Sequence, residues 1–186
     1  MIVSGELFGT TSAAVSNNST LDLTDANAIN GNAHLLLSAG TLEVAAQLNL
    51  FLGDLTVAIG ASTLDIGGSG DTLNFLDSSA NTWTGTLAIT NWNGNGADLN
   101  GGGSDQILFT EENGVTPAPL TTAQLADITF VDPTIDGTAY NTNFGAVQLS
   151  DGEIVASAIP EPGTWAMMLA GAGILCLRKH SRNMRD

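Results

Sequence analysis

Residues 1–177 contain neither lysine nor arginine; the four cations of the chain, Arg178, Lys179, Arg182 and Arg185, all lie in its last nine positions. With 19 acids the formal charge is −15 and the pI about 4.1. This excludes nucleic-acid binding, which needs clustered Lys and Arg to displace counterions from phosphates. The single cysteine, Cys176, excludes any disulfide framework within one chain. Its apolar neighbours predict a small buried hydrophobe rather than a reactive thiol. Aromatic residues make up only 5% of the chain, so its core must be filled mainly by aliphatic side chains.

The means of catalysis are equally scarce. Before residue 178 there is one histidine, His34, and one tyrosine, Tyr140. A polysaccharide lyase needs a cationic or phenolic base, and solenoid hydrolases use paired aspartates with pKa values pushed apart. No two aspartates are adjacent, and the one pair of neighbouring acids, Glu111-Glu112, falls in a predicted loop. There is no Gly-x-Ser-x-Gly elbow, and His34 would have to serve every serine. With no second histidine in the body, His34 is expected to be structural rather than a metal ligand. The expectation is a non-enzyme without cofactors.

What the chain does have is an ordered tail. Pro160-Glu161-Pro162 is followed by an uncharged stretch over residues 163–177 and then by Arg178, Lys179, Arg182 and Arg185. The prolines keep a helix from starting before Gly163. As one short hydrophobic helix, the fifteen residues would span about 22 Å against a hydrocarbon core of about 30 Å, with Trp165 at one headgroup level and the cations snorkelling at the other. That length suits a transient hold better than a permanent anchor. The positive-inside rule leaves the tail in the cytoplasm and the acidic body across the membrane.

This layout resembles the C-terminal sorting signal of PEP-CTERM proteins, a family of exported bacterial proteins. The resemblance rests on Pro160, Glu161 and Pro162, then Gly163, Trp165, Leu169 and Leu177 in the membrane segment, then the basic residues, and covers about residues 158–186. It implies an exosortase as partner, transient tethering in the bacterial inner membrane, and a Gram-negative-type envelope with exopolysaccharide. The reactive cysteine would then be the enzyme's. At the other end, Met1-Ile2-Val3-Ser4-Gly5-Glu6 has neither the basic start nor the apolar run of an export leader. A truncated or misassigned start, or a fragment, is the expectation.

The body alternates apolar and polar residues in short units: Leu21-Asp22-Leu23, Leu35-Leu36-Leu37, Leu42-Glu43-Val44, Leu48-Asn49-Leu50, Leu55-Thr56-Val57-Ala58-Ile59, Leu64-Asp65-Ile66 and Leu73-Asn74-Phe75. Alternation is the period of a half-buried strand, and Gly, Asn, Ser and Asp between units supply turns. From Leu35 the starts fall seven, six, seven, nine and nine residues apart, so three units make a solenoid turn of about 20 residues. An all-β, short parallel β-solenoid is predicted over residues 1–109. Its texture is similar to autotransporter passengers. An antiparallel β-sandwich is the alternative, since such spacing also permits hairpins.

Over residues 110–157 a small cap is expected to close the solenoid. Thr121 and Gln124 predict a capping box and one short helix. Strands are predicted around Ile128, after Gly145 and near Glu153, with Asp151-Gly152 as the last turn. The residues from 158 form the signal. Asn100-Gly101-Gly102-Gly103-Ser104-Asp105 and Asn93-Gly94-Asn95-Gly96-Ala97-Asp98 partly fit calcium nonapeptides, making Asp98 and Asp105 weak metal candidates within a predicted exposed loop. The sequence therefore predicts an exported structural protein of the cell surface or matrix. The alternative is a carbohydrate-binding or vestigial carbohydrate-active module with Trp83 and Trp92 as exposed stacking platforms.

Overall fold

The computed structural model describes residues 2–3, 11–26, 28–29, 31–45, 47–68, 70–96 and 100–157. Strands β1 (Ile2–Val3), β3 (Thr20–Leu23), β5 (Thr41–Val44), β7 (Ala61–Ile66), β9 (Thr86–Thr90) and β12 (Ile128–Val131) stack in parallel as one sheet. Strands β2 (Ser12–Ser16), β4 (His34–Ser38), β6 (Asn49–Val57), β8 (Thr72–Leu76) and β11 (Gln106–Thr110) stack in parallel as a second. Successive strands alternate between the sheets, which makes the body a parallel β-solenoid and not an antiparallel sandwich.

The register follows the predicted repeat. Leu35 lies against Leu55, Leu42 against Leu64 and Leu50 against Leu73, each three units further along the chain. Two predicted strands, those at Leu48 and Leu55, are however one nine-residue strand, β6. Its first half pairs with β8 and its second with β4, across a bulge between Leu52 and Asp54. Gly53 makes that corner possible, because a side chain there would run into the Ala33 carbonyl. A bulge bends a strand and raises its twist, so no loop is needed.

Inward residues form columns one rung apart. Leu21, Leu42, Leu64, Ile89 and Phe130 follow one another in register, as do Leu52, Phe75 and Phe109. All are at most 4% exposed. The second column grows from Leu to Phe toward the C-terminal end, where Phe75 and Phe109 stack with ring centroids 5.2 Å apart. Stacking adds about 0.5–1.5 kcal/mol beyond the area buried. Thr20, Thr41 and Thr63 form one outward column and Asp22, Glu43 and Asp65 another.

The C-terminal end is closed by local structure. Helix α1 (Thr122–Ala126) begins at the predicted box, with the Thr121 hydroxyl accepting from the Gln124 amide and the Gln124 side chain accepting from the Thr121 amide. The Gln124 side-chain amide also donates to the Ser78 and Asn81 carbonyls and fastens the helix to the preceding corner. Strands β15 (Phe144–Gln148) and β16 (Ile154–Ser157) form an antiparallel hairpin beside β12. Its turn uses Gly152 at φ +94, and a bridge between Leu108 and Glu153 joins it to β11. The hairpin thereby links both sheets and covers the last rung. A small sheet of β10 (Asn93–Gly94), β13 (Thr134–Ile135) and β14 (Thr138–Ala139) had no signal in the sequence pattern.

Candidate functional site

The body delivers its C-terminal segment from a fixed place. Strand β16 is buried from Ile154 to Ala156, and its last residue, Ser157, lies opposite Gly145. The predicted sorting residues, Pro160, Glu161, Pro162, Gly163, Trp165, Leu169, Leu177, Arg178, Lys179, Arg182 and Arg185, lie outside the described residues. Among the described residues, no helix is long and apolar enough to cross a membrane.

The glycine-rich region before β11 departs from the exposed loop that its composition predicts. Asp105 is fully buried, and its carboxylate accepts hydrogen bonds from the Gly70 and Asp71 amides on one oxygen and from the Asn93 amide on the other. Asp71 stands one rung before it and accepts from the Leu48 amide at 2.7 Å. The two aspartates thus cap amide groups at successive corners of the coil. Amide hydrogens aimed at both oxygens of Asp105 favour an anion and oppose a cation there. Asp98 lies outside the described residues, and among those described no three His, Cys, Asp or Glu side chains gather as a metal-binding group.

Glu153 secures the other side of this loop. Its carboxylate accepts from the Gly102 amide at 2.8 Å, and a side chain on Gly101 would collide with it. Burial pushes the carboxyl groups of both Glu153 and Asp105 above the ordinary range, against the pull of these amides. Neither residue carried a sequence signal for this role. The sequence marks Asp105 as a weak metal candidate, whereas its partners in the fold are amides from segments 12 and 34–35 residues away.

The remaining chemistry-bearing residues are also structural in their contacts. His34 Nδ1 lies 2.8 Å from Asp54 Oδ2, and the Asn81 side-chain amide donates to the same oxygen at 2.7 Å. Burial raises the Asp54 carboxyl, but the hydrogen bonds from Asn81 and His34 outweigh it and hold the group below its usual value. Glu111 and Glu112 are exposed in a turn, as predicted. Both tryptophans are buried: Trp83 donates to the Leu55 carbonyl at 3.2 Å, and Trp92 packs against Phe130 at 4.8 Å between ring centroids. Trp92, 1% exposed, offers no ring face to a sugar, and Trp83, 9% exposed, reaches the surface only in the lining of a groove with Gly60, Thr86 and Asp127, so neither is the exposed platform that the carbohydrate-binding alternative predicts.

Fold and site together define an all-β solenoid body that hands over directly to a terminal address segment. Residues 158–182 match the family described as the PEP-CTERM protein-sorting motif. Such a motif marks an exported protein that is anchored at its C-terminus in the membrane before cleavage and sorted by an exosortase. No curated protein and no solved structure matches the chain.

Proposed function

We propose that this chain is a non-enzymatic structural protein of the cell surface or extracellular matrix of a bacterium with a Gram-negative-type envelope, delivered there by exosortase sorting. The observation that carries the reading is the junction itself: a capped solenoid ends at Ser157 and the sorting motif begins at the next residue. A coil whose rungs share one aliphatic core is a spacer by construction, since each added rung lengthens the body without new chemistry. The sequence supports the non-enzymatic part, because residues 1–177 supply no cation to stabilise developing negative charge. The charge of −15 favours a soluble, hydrated body, suited to a matrix in which exopolysaccharide is the neighbour.

The test is processing in a host that possesses an exosortase, with a secretion signal supplied at the N-terminus. Mass spectrometry of the mature product should show a chain shortened by roughly the last 25 residues, the extent of a motif-defined signal. Recovery of an intact C-terminus ending in Arg185 and Asp186 would refute sorting. In a host lacking the enzyme, the chain should remain in the membrane fraction after alkaline extraction.

A further inference from the structure

The chain has few aromatic rings, three Trp, one Tyr and six Phe, yet four of them form one series through the cap. Trp92, fully buried, packs on Phe130. Phe130 lies directly opposite Phe144 across β12 and β15, which puts both side chains on one face of the sheet. Phe144, half-buried against the core, meets Tyr140 edge-on, with ring centroids 5.1 Å apart and planes at 78°. Tyr140 is the outermost ring and is 40% exposed. Its N–H donates to the Pro133 carbonyl at 2.9 Å, which extends the β13–β14 pairing by one residue. Backbone and ring are therefore both held in place.

The surroundings of this ring are polar. Thr138 on β14 and Asn141, Thr142 and Asn143 between β14 and β15 are exposed. Among the described residues, none of their side chains makes a hydrogen bond, and neither does the Tyr140 hydroxyl. A stable protein interface needs about 800 Å² from each partner, and one ring among amides and hydroxyls does not supply it. A pyranose fits better: its C–H face is apolar and can lie on a ring, while its rim of hydroxyls donates and accepts as these side chains do. Charge narrows the class further. Residues 1–177 hold no Lys or Arg, and exposed Asp132 and Asp136 bracket β13, so a uronic or sulfated polymer is repelled.

We propose that Tyr140 is a stacking platform for one sugar residue of a neutral polysaccharide, with the amides and hydroxyl of Asn141, Thr142 and Asn143 as its hydrogen-bonding rim. This names a ligand for the matrix role proposed above, and rests on that reading for the place where such a polymer is met. A ring fixed in advance loses little freedom on binding, and tyrosine offers a rigid amphipathic contact with few torsions to order. One ring holds a sugar weakly. A polymer offers the same residue many times over, so the chain is slowed by it rather than trapped.

The test is affinity electrophoresis of the full chain in mild detergent, in native gels cast with hydroxyethyl cellulose, galactomannan or dextran. The charge of −15 drives migration without a label. Retardation by at least one of these neutral polymers is expected, and none by alginate, a polymer of uronic acids. Tyr140→Ala should abolish the retardation, and Tyr140→Phe should keep most of it because the stacking face survives. Phe51→Ala, which removes a more exposed ring from the other sheet, should leave it unchanged. Asn141→Ala combined with Asn143→Ala should weaken it while leaving every ring in place, which keeps the proposal open to refutation if Tyr140→Ala misfolds. Absence of retardation in all three gels, retardation that survives Tyr140→Ala, or retardation by alginate would overturn the platform. Slow migration without polymer that Tyr140→Ala relieves would overturn it in favour of contact between copies. No processing enzyme takes part, so a chain that is cleaved but not retarded refutes the platform alone, and one that is retarded but not cleaved refutes sorting alone.

Discussion

Replacing Leu55 by Asp tests the stacked core at its centre. Leu55 is 1% exposed and lies in register with Leu35. Its N–H donates to the Ser78 hydroxyl at 2.8 Å, and its carbonyl accepts from Asn81 and Trp83. Removing the buried side chain to Ala alone should cost about 2–5 kcal/mol. A carboxylate in its place adds several kcal/mol more, because the column offers it no cation. The sum approaches the roughly 5–15 kcal/mol of a whole domain, so Leu55→Asp should abolish cooperative β structure, and Leu55→Ala should lower the urea midpoint while keeping it. Thr56→Ser, on the outward face, should change stability by only about 0.5 kcal/mol. Asp54→Ser belongs between them: the sequence treats it as another outward neighbour, but its bonds to His34 and Asn81 make a loss of about 1 kcal/mol the expected result. Far-UV circular dichroism in urea measures all four. Equal sensitivity at positions 54, 55 and 56 would refute the alternating pattern and the coil built on it.

The carboxylates predict opposite pH responses. Asp54, held below its usual pKa, contributes stability that is present above about pH 4 and lost as the pH falls through its lowered folded value; Asp54→Asn should remove that acid-side dependence of the melting temperature. Glu153 is raised, so its ionisation costs stability as the pH rises from its unfolded value through its folded one, and Glu153→Gln should flatten that loss while keeping the acceptor for Gly102. An unchanged melting profile in both variants would refute these assignments. Millimolar Ca²⁺ should leave the melting temperature unmoved, since a ligand of the native state must raise it by mass action; a rise abolished by Asp105→Ala would restore Asp105 as a calcium ligand. No polysaccharide cleavage is expected with or without Ca²⁺, and turnover lost in Asp105→Ala would overturn the non-enzymatic proposal.

How far the sequence could be read depended on whether the signal was local. The three-unit period survives in the pairs of Leu35 with Leu55 and Leu42 with Leu64 because one alternation sets both a strand's face and its place in the stack. The capping box at Thr121 was legible for the same reason, as both partners lie within four residues. The merger of two units into β6 was not, since Gly53 reads equally as a turn until the Ala33 carbonyl is found against it. The tryptophans left their burial undecided because exposure depends on which rungs and caps lie above them.

The ordered tail, with its Pro-Glu-Pro, uncharged stretch and terminal cations, was determined by sequence alone, because each of its parts acts through composition and order along the chain. So were the exclusion of nucleic acid and the aliphatic core, which follow from counts of charges and aromatics. Tertiary structure alone decided the fate of the acids. Asp71 and Asp105 look like surface carboxylates after glycine-rich runs and Glu153 like one after a turn, yet each accepts backbone amides from segments distant in sequence. It also decided that β16 ends in a hairpin, with Ser157 opposite Gly145. Burial and long-range hydrogen bonding are properties of what packs around a residue, and a linear pattern carries no record of those neighbours.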